Sequence, residues 1–99
     1  MTHLDCDVLI VGAGGAGMYA AIAAARAGAA HVLLVDKSLV GRGGATVMAQ
    51  MTVAAALGHE CPDDWTVHLA DTLAAGRGLC DESLAALLCR EAPARIREM

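Results

Sequence analysis

Residues 7–36 read DVLIVGAGGAGMYAAIAAARAGAAHVLLVD, and the order of residue types in this stretch decides the fold. It opens on a compact apolar run, Val8-Leu9-Ile10-Val11, followed by Gly12, Gly14 and Gly17 in the spacing G-x-G-x-x-G. Small residues recur at Ala21, Ala25 and Gly28, a second apolar run covers Val32-Leu33-Leu34-Val35, and Asp36 closes it. The pattern predicts a buried parallel strand over 7–12, a tight turn, a helix over 14–27 with Gly28 at its C-cap, and a second strand over 31–36. Strand, Gly-rich turn, helix, strand and terminal carboxylate, in that order, suit a dinucleotide.

Each position has a physical reason. Gly12 is expected to turn the chain sharply at the end of the first strand, with backbone angles that a side chain forbids. Gly14, lacking a side chain, lets the backbone approach a pyrophosphate, and Gly17 lets the helix lie close to the strands. Ala21 and Ala25 extend that small face at i, i+4 spacing. The unpaired N–H groups at the helix start then face the phosphates, and the helix dipole favours their charge. Residues Gly12, Ala13, Gly14, Gly15, Ala16 and Gly17 are therefore the expected pyrophosphate cradle, and Asp36 the expected acceptor for a ribose hydroxyl.

Rival readings are weaker. An Ala/Gly-rich packing helix without a ligand explains the small residues but gives Asp36 no role. Residues 8–25 carry no charge and approach the length of a membrane span, yet the glycines at 12, 14, 15 and 17 weaken one continuous helix. The start, MTHLDCD, is acidic where a secretory signal needs basic residues. Direct membrane insertion and export are not expected.

Composition bounds the rest. The chain has 99 residues, enough for one small domain or a piece of a larger one. Phe is absent and Trp65 and Tyr19 are the sole aromatics, so the core must rely on Val, Leu, Ile and Met. Lys and Arg number 7 against 11 Asp and Glu, a net charge of −4 that argues against a nucleic-acid surface. Cys6, Cys61, Cys80 and Cys89 show no C-x-x-C or zinc spacing with His3, His31, His59 or His68. Reduced thiols and a cytoplasmic location are expected, with no metal site.

Residues 37–45, KSLVGRGGA, read as a Gly-rich loop, and 46–57, TVMAQMTVAAAL, as helical or partly helical up to Gly58. After a turn through Cys61, Pro62 suits the first position of a helix running to about Ala75, with Trp65, Leu69 and Leu73 on one face. Gly76-Arg77-Gly78 breaks it, Asp81 caps the next helix to about Cys89 or Arg90, and Pro93 opens a last one to Met99. A parallel sheet of two strands buries little. Together with a helical pattern that runs to the last residue, this predicts the N-terminal part of a longer protein. Arg42, Arg77, Arg90, Arg95 and Arg97 read as loop contacts or solvated helix faces, Asp63, Asp64 and Asp81 as helix-start acids, and no catalytic residue is expected.

The loop after Asp36 narrows the ligand. Glycines, hydroxyls and a helix start directly after the ribose acid suit a backbone wrapped around a large cofactor. Simple NAD domains go straight into another βα unit at this point. The loop therefore favours FAD over an NAD-binding dehydrogenase domain.

At these residues the sequence resembles the N-terminal end of the flavoprotein subunits of succinate dehydrogenase and fumarate reductase, and of L-aspartate oxidase. The resemblance covers essentially the whole chain. It rests on the glycine fingerprint, on Lys37 and Ser38, on Thr46, Ala49 and Gln50 of a T-x-x-A-Q signature, and on Ala54–Gly58. Asp71-Thr72-Leu73, Gly78 and Asp81, and Arg90-Glu91-Ala92-Pro93 continue it. It implies the fold class α/β: the N-terminal portion of a Rossmann-like FAD-binding domain, β-α-β followed by helices, with an incomplete parallel sheet. It also implies one domain piece over 1–99, and hydride transfer to or from flavin in the complete protein. Lys37, Ser38, Gly44, Ala45, Thr46, Ala49 and Gln50 would line the path towards the flavin.

Three departures carry expectations. Members that attach FAD covalently place a His before the matching Thr; here Ala45 stands there, so FAD is expected to bind non-covalently. The two glycines that follow Ala-Gln in the family are here Met51 and Thr52, whose side chains would reshape the pocket near the flavin ring. Family Arg and His residues that bind dicarboxylates have no counterpart in these 99 residues, so a small-molecule substrate is expected only of the complete protein. The remaining alternative is a non-catalytic truncated remnant that folds poorly or only with a partner segment.

Overall fold

The computed structural model describes residues 1–50 and 52–99. The chain divides into two compact units, Met1–Met51 and Thr52–Met99.

The first unit is the expected βαβ. Strand β1 spans Val8–Val11, helix α1 spans Gly15–Arg26 and strand β2 spans Val32–Val35. The strands pair in parallel, with Val8 opposite Val32 and Val11 opposite Val35. Helix α1 packs on both strands. Along β1 exposure alternates: Val8 and Ile10 are half-buried, whereas Leu9 and Val11 are 55% and 81% exposed. The expectation of a buried strand is thus corrected for one face, because α1 covers one face of the pleat and neighbouring side chains point oppositely. Helix α1 ends in a Schellman motif: Gly28 takes φ +100°, its N–H donates to the Ala25 carbonyl, and the Ala29 N–H donates to the Ala24 carbonyl.

Of the stretch 46–57, read as helical or partly helical, the described residues form one 3-10 turn, Thr46–Met48, and Ala49 leaves it with an extended ψ of 149°. Thr46, Val47, Thr52 and Val53 are β-branched and poor helix formers, and the Thr46 hydroxyl is engaged elsewhere. Met51 lies outside the described residues.

The second unit pairs helix α2, Trp65–Gly76, with helix α3, Glu82–Glu98. The start of α2 lies at Trp65 and not at Pro62. Asp64 is the N-cap, its Oδ1 accepting from the Thr66 N–H at 2.8 Å, and this side-chain acceptor decides where the helix begins. Trp65, Leu69 and Leu73 are half-buried, as one shared face requires. Arg77, at φ 49°, ends α2 in the left-handed region, with Gly78 at φ +82° behind it. Asp81 caps α3 as expected, accepting from the Leu84 N–H at 3.0 Å.

Pro93 does not open a separate helix, because α3 runs straight through it. Proline removes the N–H that would bond the Cys89 carbonyl, a loss confined to one turn. Ala85, Cys89, Ala92, Pro93 and Ile96 lie on the half-buried to buried face on both sides of that turn, and Cys89 is fully buried. The packed face carries the helix across the missing bond. Among the described residues no helix is long and apolar enough to cross a membrane.

Candidate functional site

The site is built where β1 ends. Gly12 adopts φ +109°, a left-handed angle that favours glycine, and its N–H donates to the Val35 carbonyl at 2.7 Å. The turn is thereby tied to the end of β2. Ala13, 2% exposed, is the buried pivot that follows. Gly17 sits so close to the Gly12 carbonyl oxygen that a β-carbon there would collide with it, which is the close helix–strand approach the fingerprint demands.

Gly14 differs. It is the N-cap of α1 with φ −78° and ψ −174°, angles open to any residue, and it makes no side-chain cap. A β-carbon on it would meet nothing closer than the Thr46 Oγ1 at 3.7 Å. The chain itself therefore does not require glycine at 14.

Gly15, the first residue of α1, donates its N–H to the Thr46 Oγ1 at 2.9 Å. A β-carbon on Gly15 would lie 3.0 Å from that oxygen and 3.2 Å from Thr46 Cγ2. Its glycine thus makes room for Thr46. The N–H groups of Ala16 and Gly17, in the first turn, have no acceptor within the helix. No acid lies in that turn, so the positive end of the dipole is left uncompensated by α1's own side chains.

Asp36 follows β2 directly. Its Oδ2 accepts from the Ser38 hydroxyl at 2.7 Å. That hydroxyl is the main cause holding the Asp36 carboxyl below its ordinary range; partial desolvation opposes it, and the backbone N–H groups of Lys37, Ala13 and Ser38 add to it. The charged form thus sits at the carboxyl ends of the two strands. There Val11, Gly12, Val35, Asp36 and Lys37 line an open cavity of about 440 Å³. Ligands of open parallel α/β sheets bind at this end of the strands.

The loop after Ser38 returns to the turn. A β-carbon on Gly43 would strike the Ser38 Oγ and lie 3.4 Å from the Asp36 Oδ2. Gly44, at φ +81°, brings its backbone beside Gly14, where its own β-carbon would be 3.9 Å from the Gly14 Cα. Residues 12–17, Asp36, Ser38, Gly44 and Thr46 are thus drawn together, and Lys37 lines the cavity. Ala45 is exposed beside Thr46, while Ala49 and Gln50 are exposed beyond the 3-10 turn. Gly43 was not among the expected site residues; the Gly43-Gly44 doublet so soon after Ser38 is the signal that points to it.

A larger apolar cavity, about 780 Å³, lies along α3 in the second unit, among Leu84, Leu87, Leu88 and Ile96. Its charged neighbours Glu91 and Arg95 pair with each other at 3.3 Å, and it offers no glycine turn or helix start to a phosphate. Among the described residues no group of His, Cys, Asp and Glu could hold a metal ion, and the four cysteines are free thiols.

A protein-family profile described as an FAD binding domain matches residues 7–99. L-aspartate oxidase of Mesorhizobium japonicum is 37% identical over 97 residues, covering 98% of this chain and 18% of that protein. The succinate dehydrogenase flavoprotein subunit of Rickettsia bellii is 38% identical, over 98% of this chain and 16% of that subunit. A solved chain of the Mycobacterium smegmatis Sdh1 complex in the apo form superposes with a TM-score of 0.86 at 42% identity, over 94% of this chain and 16% of that one. The chain therefore spans less than a fifth of the length of these relatives.

Proposed function

This chain belongs to the FAD-binding domain family of the succinate dehydrogenase and L-aspartate oxidase flavoproteins, and we propose that it holds the ADP half of a reversibly bound FAD. The observation that carries the proposal is Gly14. The chain leaves its side-chain position open, at the start of a helix whose first-turn N–H groups lack intrahelical acceptors.

The residues present fit the cofactor. The Ala16 and Gly17 N–H groups and the dipole of α1 bind the pyrophosphate. The Asp36 carboxylate, kept ionised by Ser38, accepts from a ribose hydroxyl. Gly12 shapes the turn, Gly17 sets the helix against it, and Lys37 offers a cation at the rim of the cavity. Gly44, Ala45, Thr46, Ala49 and Gln50 line the path towards the flavin. Ala45, with no nucleophile, leaves the flavin unattached.

Bound FAD supplies two-electron, hydride-transfer chemistry, which the protein directs by orienting the cofactor. The names of the relatives suggest a dicarboxylate or an amino acid as reductant in a whole protein of this kind.

The test is a titration of the protein, freed of flavin, with FAD and separately with NADH. Quenching of flavin fluorescence that saturates, with no saturable NADH signal, supports the proposal. Saturable NADH binding without FAD binding overturns it.

A further inference from the structure

The loop that follows Asp36 is fastened to the βαβ unit at two places. One lies at its start, where the Ser38 hydroxyl bonds Asp36 and the bare Gly43 backbone packs against that hydroxyl. The other lies at its end, where the Thr46 Oγ1 accepts the Gly15 N–H at 2.9 Å across a separation of 31 residues. Between the two lie Leu39–Ala45, with Gly41 and Gly44 in the left-handed region and a turn closed by the Arg42 N–H on the Leu39 carbonyl.

Both members of the second fastening are specific. Gly15 is tightly approached by Thr46 through its oxygen and its methyl carbon, at 3.0 and 3.2 Å from where a β-carbon would stand. A β-carbon at 15 would make the Thr46 side chain give by a few tenths of an ångström. The Thr46 hydroxyl in turn takes the first of the unpaired N–H groups of α1, leaving those of Ala16 and Gly17 for a ligand.

We propose that Gly15 and Thr46 form a latch that closes the 37–45 loop over the start of α1 before the cofactor arrives, so that Thr46 is a positioning residue. The latch shortens the freely moving part of the chain, so less ordering is left for the binding step. Gly15 thereby serves Thr46, and the phosphate contacts fall to its neighbours. This reading rests on the proposed FAD site for its consequence in binding, but the Gly15–Thr46 bond can be tested without the cofactor.

The experiment compares wild type, Thr46→Val and Thr46→Ser of the whole protein. Valine keeps the shape of threonine and removes the acceptor; serine keeps the acceptor. The first readout is the rate of trypsin cleavage after Lys37 and Arg42 without FAD, and the second is FAD affinity. The latch predicts that Thr46→Val raises the cleavage rate several-fold and weakens FAD about five-fold, as expected for one lost neutral hydrogen bond. Thr46→Ser should restore both. Cleavage of Thr46→Val at the wild-type rate overturns the latch. If Thr46→Val lowers the thermal midpoint of the whole protein, Thr46→Ser decides: cleavage at the wild-type rate supports the latch, and cleavage at the valine rate overturns it. Failure of wild type to bind FAD would defeat the FAD reading and leave the cleavage comparison intact.

Discussion

Gly17 lies against the carbonyl oxygen of Gly12, with no room for a β-carbon between them. This fixes how closely α1 approaches the turn after β1, and hence where the first-turn N–H groups stand. Gly17→Ala forces either the helix or the turn to move. It should destabilise the fold by about 1–3 kcal/mol, the usual range for overpacking. Urea unfolding monitored by circular dichroism checks it; a midpoint equal to wild type would show that the approach is not tight.

Asp36, Asp64 and Asp81 share one local device. Each accepts from the hydroxyl two residues on, Ser38, Thr66 and Ser83, at 2.7, 2.6 and 2.6 Å. Each carboxyl is held below its ordinary range, with that hydroxyl as the leading cause. A folded-state pKa below the unfolded one gives stability that is complete above the unfolded pKa and disappears as pH falls through the folded pKa. The helical signal should therefore hold through mildly acidic pH and fall only below the ordinary carboxylate range. Asp81→Asn, which keeps a capping oxygen but not the charge, should lose the charge-dependent part of that stability at neutral pH and reduce the acid loss. An acid titration of ellipticity that is identical in the two proteins would contradict the assignment.

Pro93 interrupts the hydrogen bonds of α3 at the Cys89 carbonyl. Pro93→Ala restores the donor while loosening the unfolded chain, effects of opposite sign. The first is larger, so the variant should gain about 2 kcal/mol. A denaturation midpoint lower than wild type would show that the proline ring packs more favourably than the bond it removes.

Ala45, exposed beside Thr46, offers no nucleophile to a flavin. Acid precipitation of the FAD-loaded protein should release all the flavin to the supernatant. Yellow, fluorescent protein in the washed pellet would contradict non-covalent binding.

The βαβ unit was legible because its signals are local: two apolar runs, glycines at fixed spacing and an acid at the end of the second run. The left-handed Gly12 and the crowded Gly17 are features that glycine alone satisfies, so the sequence marks them directly. The role of Gly15 was not legible, because it depends on Thr46, which is remote in sequence. Position 15 reads as one more fingerprint glycine until the fold brings the hydroxyl to it. In the second unit Pro62 and Pro93 both misled the boundaries. Asp64 placed a side-chain acceptor later than Pro62, and the packed face around Cys89 carried α3 through Pro93. Proline reports the cost of a helix at one residue, while packing is summed over the whole face.

The most direct test compares FAD affinity and stability in wild type and Gly14→Ala. The chain has room for the added methyl, so the fold should lose no stability. A pyrophosphate seated at this helix start would meet that methyl, so the proposed site predicts that FAD affinity falls by at least ten-fold, about 1.4 kcal/mol. Titration calorimetry beside urea unfolding reads both. Wild-type FAD affinity in a fully folded Gly14→Ala protein would contradict the placement of the cofactor at this helix start.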